Sequence, residues 1–229
     1  MAFTLYRPEL SGPVLGVLFD MDGVILDTEK LYTRFWREAA QSLGYPMTQA
    51  QALGMRSLNR QAGAEKLCSY FGADVCYEAV RTRRIELMDA YVRRHGVEPK
   101  PGIRELMAHL QALRIPAAIA TSSPIERVKE YLIPLGLYSL FDRVVTGYDV
   151  ARGKPEPDIY LLACEKLGTD PSTAYAVEDS YNGIRAAYRA GMHPIMVPDQ
   201  LPPTDEMYDL CRYIFDDLGA LYRHFAAQE

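Results

Sequence analysis

Two aspartates, Asp20 and Asp22, stand directly after an apolar run and are followed by Gly23. The run 14–19 has the length and the Val, Leu and Phe content of a buried parallel strand, so both acids fall where the strand leaves its sheet. Open α/β sheets bind ligands at this carboxyl edge. Two such close carboxylates repel each other and favour a hard cation such as Mg²⁺ together with a phosphate-bearing ligand. A strand-end turn that merely tolerates Asp and Gly explains the motif equally well.

Hydroxyl groups and a lysine follow later strands in the same way. Thr121, Ser122 and Ser123 come directly after the predicted strand 116–120, where hydroxyls would meet the same sheet edge. Capping of the next helix by one of the two serines is the alternative use of these residues. Lys154 lies between a glycine and a proline just before a predicted helix. A loop lysine is usually a solvated charge, and only the neighbouring motifs make this one a candidate for chemistry.

A second acidic pair, Glu178 and Asp179, follows the predicted strand 174–177 and precedes Asn182. Acids at a strand end can cap the helix that follows. Beside Asp20 and Asp22 they would instead complete an oxygen cage for Mg²⁺.

Composition excludes several other classes of protein. The 229 residues carry a net charge of −5 without a basic run, which argues against partners such as nucleic acid or an anionic membrane surface. The first residues lack the pattern of a signal peptide, and no apolar stretch approaches the roughly 20 residues that span a bilayer. The cysteines lack Cys-x-x-Cys spacing, which indicates reduced thiols and a cytoplasmic protein: Cys68, Cys76, Cys164 and Cys211.

Short apolar segments alternate with amphipathic ones through most of the chain. Further strands are predicted at 116–120, 143–145, 174–177, 194–197 and 213–215, and helices at 103–113, 126–135, 157–167, 183–190 and 218–225. This alternation is typical of βαβ units, and it predicts an α/β fold with a parallel sheet covered by helices on both faces.

Residues 29–100 interrupt the alternation. Apolar residues recur there at helical spacing before Gly44 and again before Gly96, and no strand pattern is present. Some seventy residues are too many for a simple crossover, so this segment is predicted to be a helical bundle inserted into the α/β domain. The stiff sequence 99–102 suits its return point, and a two-stranded connection makes a hinge for a lid. An inert helical insert is the alternative.

The motifs in chain order resemble those of the haloacid dehalogenase (HAD) superfamily. They are Asp-x-Asp-Gly-Val at 20–24, a hydroxyl after the next core strand, Gly-Lys-Pro-x-Pro-Asp at 153–158 and Glu-Asp-Ser-x-Asn-Gly-Ile at 178–184. Each motif alone is weak, but four in this order are specific, and the resemblance spans 14–215. The β-phosphoglucomutase-like and sugar-phosphatase group is the most similar.

The resemblance implies a Rossmann-like parallel-sheet core formed by 1–28 and 101–229, with 29–100 as a helical C1-type cap. It also implies Mg²⁺ as cofactor and the transfer of a phosphoryl group from a small phosphorylated metabolite. Members of the family are commonly monomeric, so a monomer is expected here. The implied catalytic residues are a nucleophile, a general acid and base, and two ligands of the phosphoryl oxygens: Asp20, Asp22, Thr121 and Lys154. The implied metal ligands are Asp20, Glu178, Asp179 and the backbone carbonyl of Asp22. The second Asp and the acidic pair argue against dehalogenation.

Phosphatase and phosphomutase activity both remain open, with hydrolysis favoured. By the resemblance, Tyr32 occupies the place of a histidine that helps to control the general acid in β-phosphoglucomutases. The stretch 53–57 resembles the substrate-specificity loop of the cap, which makes Arg56 a candidate substrate-binding residue beside Ser122 and Asn182. A non-catalytic binding or regulatory module is the third possibility, although neither the nucleophile nor the lysine has been lost.

Overall fold

The structure is a computed structural model in which residues 5–6, 14–56, 58 and 60–227 are described. The chain divides into two compact units. One takes in the described residues of Met1–Leu26 together with Pro99–Glu229, and the other is Asp27–Glu98. The second unit is therefore an insertion in the sequence of the first.

The larger unit contains one sheet. Its seven strands within the described residues are β1 (Leu5–Tyr6), β2 (Gly16–Phe19), β3 (Ala117–Thr121), β4 (Arg143–Thr146), β5 (Ala174–Glu178), β6 (His193–Met196) and β7 (Tyr213–Ile214). They are ordered β1-β7-β6-β5-β2-β3-β4, and all neighbours are parallel except β1, which pairs antiparallel with β7. The predicted α/β fold with a parallel sheet is confirmed.

Ten α-helices are described. They are α1 (Glu29–Ser42), α2 (Gln49–Leu53), α3 (Arg60–Phe71), α4 (Tyr77–His95), α5 (Ile103–Ala112), α6 (Ile125–Leu132), α7 (Asp158–Leu167), α8 (Tyr181–Arg189), α9 (Asp205–Leu210) and α10 (Leu218–Ala226). All six predicted strands and all five predicted core helices are present, with ends shifted by a few residues. The sequence did not predict β1, because two residues are too short to show a period, nor α9, whose six residues include three acids and are too few to show a helical period.

The apolar runs that predict strands include the central strands of the sheet. All residues of β2, β3 and β5 are buried, because a strand in the middle of a covered parallel sheet meets helices on both faces. Parallel pairing also aligns the strand ends. Phe19 is in register with Ile119 on one side and Val177 on the other, so the residues after all three strands emerge at one edge.

The regular secondary structure of the smaller unit, within its described residues, is entirely α-helical. Along α1 the apolar positions recur at helical spacing, and Phe35, Trp36 and Ala39 are buried on the face that packs against α4. Helix α2 begins with a capping box in which Thr48 and Gln51 bond each other's backbone N–H groups. Across the part of the chain that the structure describes, no helix is both long and apolar enough to cross a membrane.

Candidate active site

Asp20 and Asp22 are presented by a tight loop at the end of β2. The backbone N–H of Asp20 still bonds to the adjacent strand, at the carbonyl of Val177 (3.0 Å). The chain then folds back, and Gly23 donates its N–H to the carbonyl of Leu26 over 2.8 Å. Gly23 has a φ of +87°, a conformation that side chains other than glycine's rarely adopt. This turn explains why a glycine follows the two acids.

Lys154 lies at the centre of the site. Its Nζ donates to Oδ1 of Asp20 (2.6 Å), to Oε1 of Glu178 (2.6 Å) and to the carbonyl of Ala120 (2.9 Å). Only 7% of the side chain is exposed. The three acceptors belong to the ends of β2, β5 and β3, so the lysine loop, far away in sequence, joins all three strand ends. The lysine is not a solvated loop charge.

Glu178 is completely buried, and protein donors hold both of its carboxylate oxygens. The Tyr160 hydroxyl donates to Oε1 (2.6 Å), which Lys154 also contacts, and Ser180 donates to Oε2 from its hydroxyl (3.1 Å) and, at 3.4 Å, from its N–H. The backbone of Gly183 leaves the space for this carboxylate. A Cβ there would lie 1.9 Å from Cδ of Glu178, a distance at which something must move. The glycine of the last motif therefore accommodates the acid of the same motif.

Burial dominates the electrostatics of the cluster. It raises the pKa of Asp20 to about 8, because desolvation and the carboxylates of Glu178 and Asp22 outweigh the Lys154 ammonium. Burial alone would lower the pKa of Lys154, but the two carboxylates beside it raise that pKa above its usual value. Burial also raises the pKa of Tyr160 well above its usual value, which keeps the hydroxyl a hydrogen-bond donor.

The acidic residues fit a divalent metal ion. Within the described residues, Asp20, Glu178 and Asp179 each offer a carboxylate oxygen, and these atoms lie within 4.8 Å of one another. Lys154 offsets only part of the negative charge of these carboxylates, and the pKa of Asp20 is raised first by burial and then by the charges of Glu178 and Asp22, so ionised Asp20 carries a negative charge that is not fully compensated. A hard dication with oxygen ligands would offset it, and Mg²⁺ is such an ion.

The hydroxyl loop after β3 contacts the second aspartate. The Ser123 hydroxyl donates to Oδ2 of Asp22 over 2.8 Å, and the Ser123 N–H donates to Oγ1 of Thr121 over 3.1 Å. Thr121 is buried at the strand end, whereas Ser122 is exposed. The predicted capping of the following helix by one of the serines is wrong, because the N-cap residue of α6 is Pro124.

The three predicted substrate-binding residues lie in different surroundings. Arg56 is buried in the smaller unit, where its Nε bonds Oε2 of Glu29 over 2.6 Å. Ser57, at the end of the predicted specificity loop, lies outside the described residues. Asn182 is in the first turn of α8, and its Oδ1 accepts a hydrogen bond from Arg185 over 3.0 Å. Substrate binding by Arg56, Ser122 and Asn182 stays a prediction.

Sequence reasoning assigned no role to three residues of the site: Tyr160, Ser180 and Gly183. Ser180 and Gly183 stand within a quoted motif, and Ser123 was named only as one of three neighbouring hydroxyls, because a motif does not show which way each side chain faces. Tyr160 follows the lysine motif by two residues, on α7, and nothing in its sequence context distinguishes it from an ordinary core aromatic. Only the packing of α7 against the sheet brings its hydroxyl to Glu178.

The chain is similar to known proteins of one family. A sequence profile described as haloacid dehalogenase-like hydrolase matches residues 14–191. The chain is 35% identical over 179 residues to a phosphorylated carbohydrates phosphatase of Thermotoga maritima, covering 78% of this chain and 82% of the relative. It is 29% identical over 194 residues to the β-phosphoglucomutase of Bacillus subtilis, covering 81% and 84%. The crystal structure of CbbY from Rhodobacter sphaeroides in complex with phosphate superposes with a TM-score of 0.74 at 27% identity, covering 91% and 96%.

Proposed function

The chain belongs to the haloacid dehalogenase-like hydrolases, and from this membership we propose that it is a Mg²⁺-dependent phosphatase of small phosphorylated metabolites, sugar phosphates in particular. The resemblance drawn from the motifs is thereby confirmed at the level of the family. The observation that carries the proposal is the bridge of Lys154 between Asp20 and Glu178 at the edge of the sheet. A cytoplasmic location and a monomeric state remain predictions.

In the first step, a carboxylate oxygen of Asp20 attacks the phosphorus atom of the substrate. The bond from phosphorus to the leaving oxygen breaks, Asp22 gives that oxygen a proton, and an aspartyl-phosphate is left on the enzyme. Thr121 and Lys154 bind the non-bridging oxygens, for which the lysine exchanges one of the three acceptors that it contacts in the structure. The attack brings a carboxylate to a phosphate dianion, so the lysine must offset repulsion between like charges.

In the second step, water hydrolyses the aspartyl-phosphate. Asp22, now ionised, takes a proton from the water as its oxygen attacks phosphorus. The bond to Asp20 breaks, which restores the carboxylate and releases inorganic phosphate. The hydrogen bond from Ser123 supports this role, because it orients the carboxylate of Asp22 while leaving the residue partly accessible.

Asp20, Asp179 and the backbone carbonyl of Asp22 would hold the Mg²⁺ ion, with Glu178 as a further acidic group. Lys154 and Tyr160 donate to Oε1 of Glu178 over 2.6 Å each, whereas Ser180 donates to Oε2 over longer distances of 3.1 and 3.4 Å, so Oε2 is the oxygen more easily given up to the ion or its water. When bound, the ion would supply charge stabilisation for the transferring phosphoryl group.

Replacing Asp179 by asparagine should weaken Mg²⁺ binding, because the ion loses an anionic oxygen ligand. We expect the Mg²⁺ concentration for half-maximal activity to rise by at least about tenfold. Titration calorimetry with Mg²⁺ alone should show the same loss of affinity. Asp74→Asn changes an exposed aspartate of the smaller unit and serves as the matched control. An Asp179→Asn variant that titrates like the parent would show that the ligand set is wrong.

The alternative is a phosphomutase, in which a sugar hydroxyl rather than water accepts the phosphoryl group. A mutase must protect its aspartyl-phosphate from water until the second sugar phosphate arrives. Tyr32, at the place of the mutase histidine, is engaged by Arg84, whose guanidinium carbon lies 5.0 Å from the centroid of the tyrosine ring. A phenol packed on a cation does not replace an imidazole in proton transfer, and this favours hydrolysis.

Phosphate release from hexose phosphates should therefore exceed conversion of β-glucose 1-phosphate to glucose 6-phosphate by at least about tenfold. A phosphate assay and a coupled assay with glucose 6-phosphate dehydrogenase, primed with a sugar bisphosphate, measure the two rates. Isomerisation much faster than release would favour the mutase. Hydrolysis of p-nitrophenyl phosphate with Mg²⁺ but not with EDTA separates both enzymes from a binding module.

A further inference from the structure

Tyr160 is a fully buried residue of α7 that contacts both charged partners of the site, although neither phosphoryl-transfer step uses it. Its hydroxyl donates to Oε1 of Glu178 over 2.6 Å, and Nζ of Lys154 lies 5.1 Å from the centroid of its ring. The ring belongs to the hydrophobic core beneath the sheet, in a cluster with Leu18 and Ala120. Its ring and its hydroxyl therefore have separable roles.

The position of the Lys154 ammonium depends on two opposing carboxylates. Its three N–H groups are all used, on Asp20, Glu178 and the carbonyl of Ala120. The two carboxylate contacts are equal in length, at 2.6 Å each. If one carboxylate attracts the ammonium more strongly, the ammonium will therefore move toward it and away from the other.

The Tyr160 hydroxyl determines how strongly Glu178 attracts the ammonium. A carboxylate oxygen has two lone pairs, and Oε1 fills them with the lysine and the tyrosine. Ser180 meets the other oxygen, so it does not compensate at Oε1. Without the hydroxyl, a buried acceptor would be left half satisfied, and Lys154 is the donor already beside it.

We infer that Tyr160 is a positioning residue of the reaction, which acts through Glu178 to hold the Lys154 ammonium against the nucleophile Asp20. The inference rests on the proposed function, because it assigns the lysine a role at the transferring phosphoryl group. It adds a residue of α7 to the groups that fix the lysine, which otherwise lie at strand ends: Asp20, Ala120 and Glu178.

The test is Tyr160→Phe, which removes the hydroxyl and keeps the buried ring. We expect kcat for Mg²⁺-dependent hydrolysis of p-nitrophenyl phosphate to fall about tenfold, with KM changed less than about twofold, because the misplaced charge acts mainly on the transition state. Tyr213→Phe removes the hydroxyl of another buried tyrosine, on β7, and should keep the parent kcat. Thermal unfolding of both variants measures any loss of stability. Restoration of kcat by 4-aminophenylalanine at position 160, which returns a donor, would support the inference.

A double-mutant cycle shows whether the tyrosine acts through Glu178. In a Glu178→Gln background, we expect Tyr160→Phe to lower kcat by no more than about twofold further, because the residue that transmits its effect has changed. A further tenfold loss in that background would contradict the inference, as would an equal loss in Tyr213→Phe.

The outcomes also separate this inference from the proposed function. A parent protein that hydrolyses none of the phosphorylated substrates with Mg²⁺ overturns the proposed function. A hydrolysing parent whose kcat is unchanged by Tyr160→Phe overturns the inference alone.

Discussion

Replacing Asp20 by asparagine is expected to lower kcat by at least about 10⁴-fold while leaving the protein folded. The amide has nearly the same shape as the carboxylate but is a much poorer nucleophile, so no aspartyl-phosphate should form. The fold should tolerate the change because burial already raises the pKa of Asp20 to about 8. A carboxyl group with a raised pKa opposes folding when it is ionised, and this cost grows as the pH rises from its ordinary pKa toward its folded one. An uncharged amide removes that cost.

Two measurements check this expectation. Steady-state hydrolysis with Mg²⁺ should fall to background, and the midpoint of thermal unfolding in EDTA at neutral pH should equal or exceed that of the parent. Asp205→Asn, at an exposed aspartate in the first turn of α9, controls for the loss of one negative charge. Mg²⁺-dependent activity above a small fraction of the parent's would rule out the covalent role of Asp20.

Replacing Lys154 by methionine is expected to damage both activity and stability. Without the ammonium, the phosphoryl oxygens lose their cationic partner, and kcat should fall by about 10³-fold. The carboxylates of Asp20 and Glu178 would also face each other without the buried cation between them. Breaking a buried ion pair from one side costs about 3–5 kcal/mol, and we expect about 3 kcal/mol because Asp20 can take up a proton.

Denaturant unfolding in EDTA measures the stability, and the same titration with Mg²⁺ shows how much of the loss a bound dication recovers. Lys129→Met, on the exposed face of α6, should leave both activity and stability near the parent values. If Lys154→Met unfolds like the parent, the lysine contributes little to holding the strand ends together. If it also hydrolyses like the parent, its proposed role in transfer is wrong.

Much of the fold could be predicted from the sequence because its signals are local. The segments that became β2, β3 and β5 are apolar except for Thr121 and Glu178, the last residues of β3 and β5, as expected of strands buried on both faces. Parallel pairing then brings the ends of these strands to one edge, so the sequence is enough to group residues that are far apart along the chain. Asp20, Asp179 and Lys154 were proposed in this way, from their order along the chain and the family it resembles.

The sequence by itself thus determined the fold class, the sheet edge of the candidate site and the residue types gathered there. Only the tertiary structure decided which neighbours engage them. Of two adjacent serines, Ser123 rather than Ser122 bonds Asp22, because the path of the chain after β3 turns one hydroxyl inward and leaves the other exposed. The packing of α7 directs the Tyr160 hydroxyl to Glu178, and the closeness of α8 requires Gly183. These choices depend on side-chain directions and distances between elements, which a one-dimensional pattern does not contain.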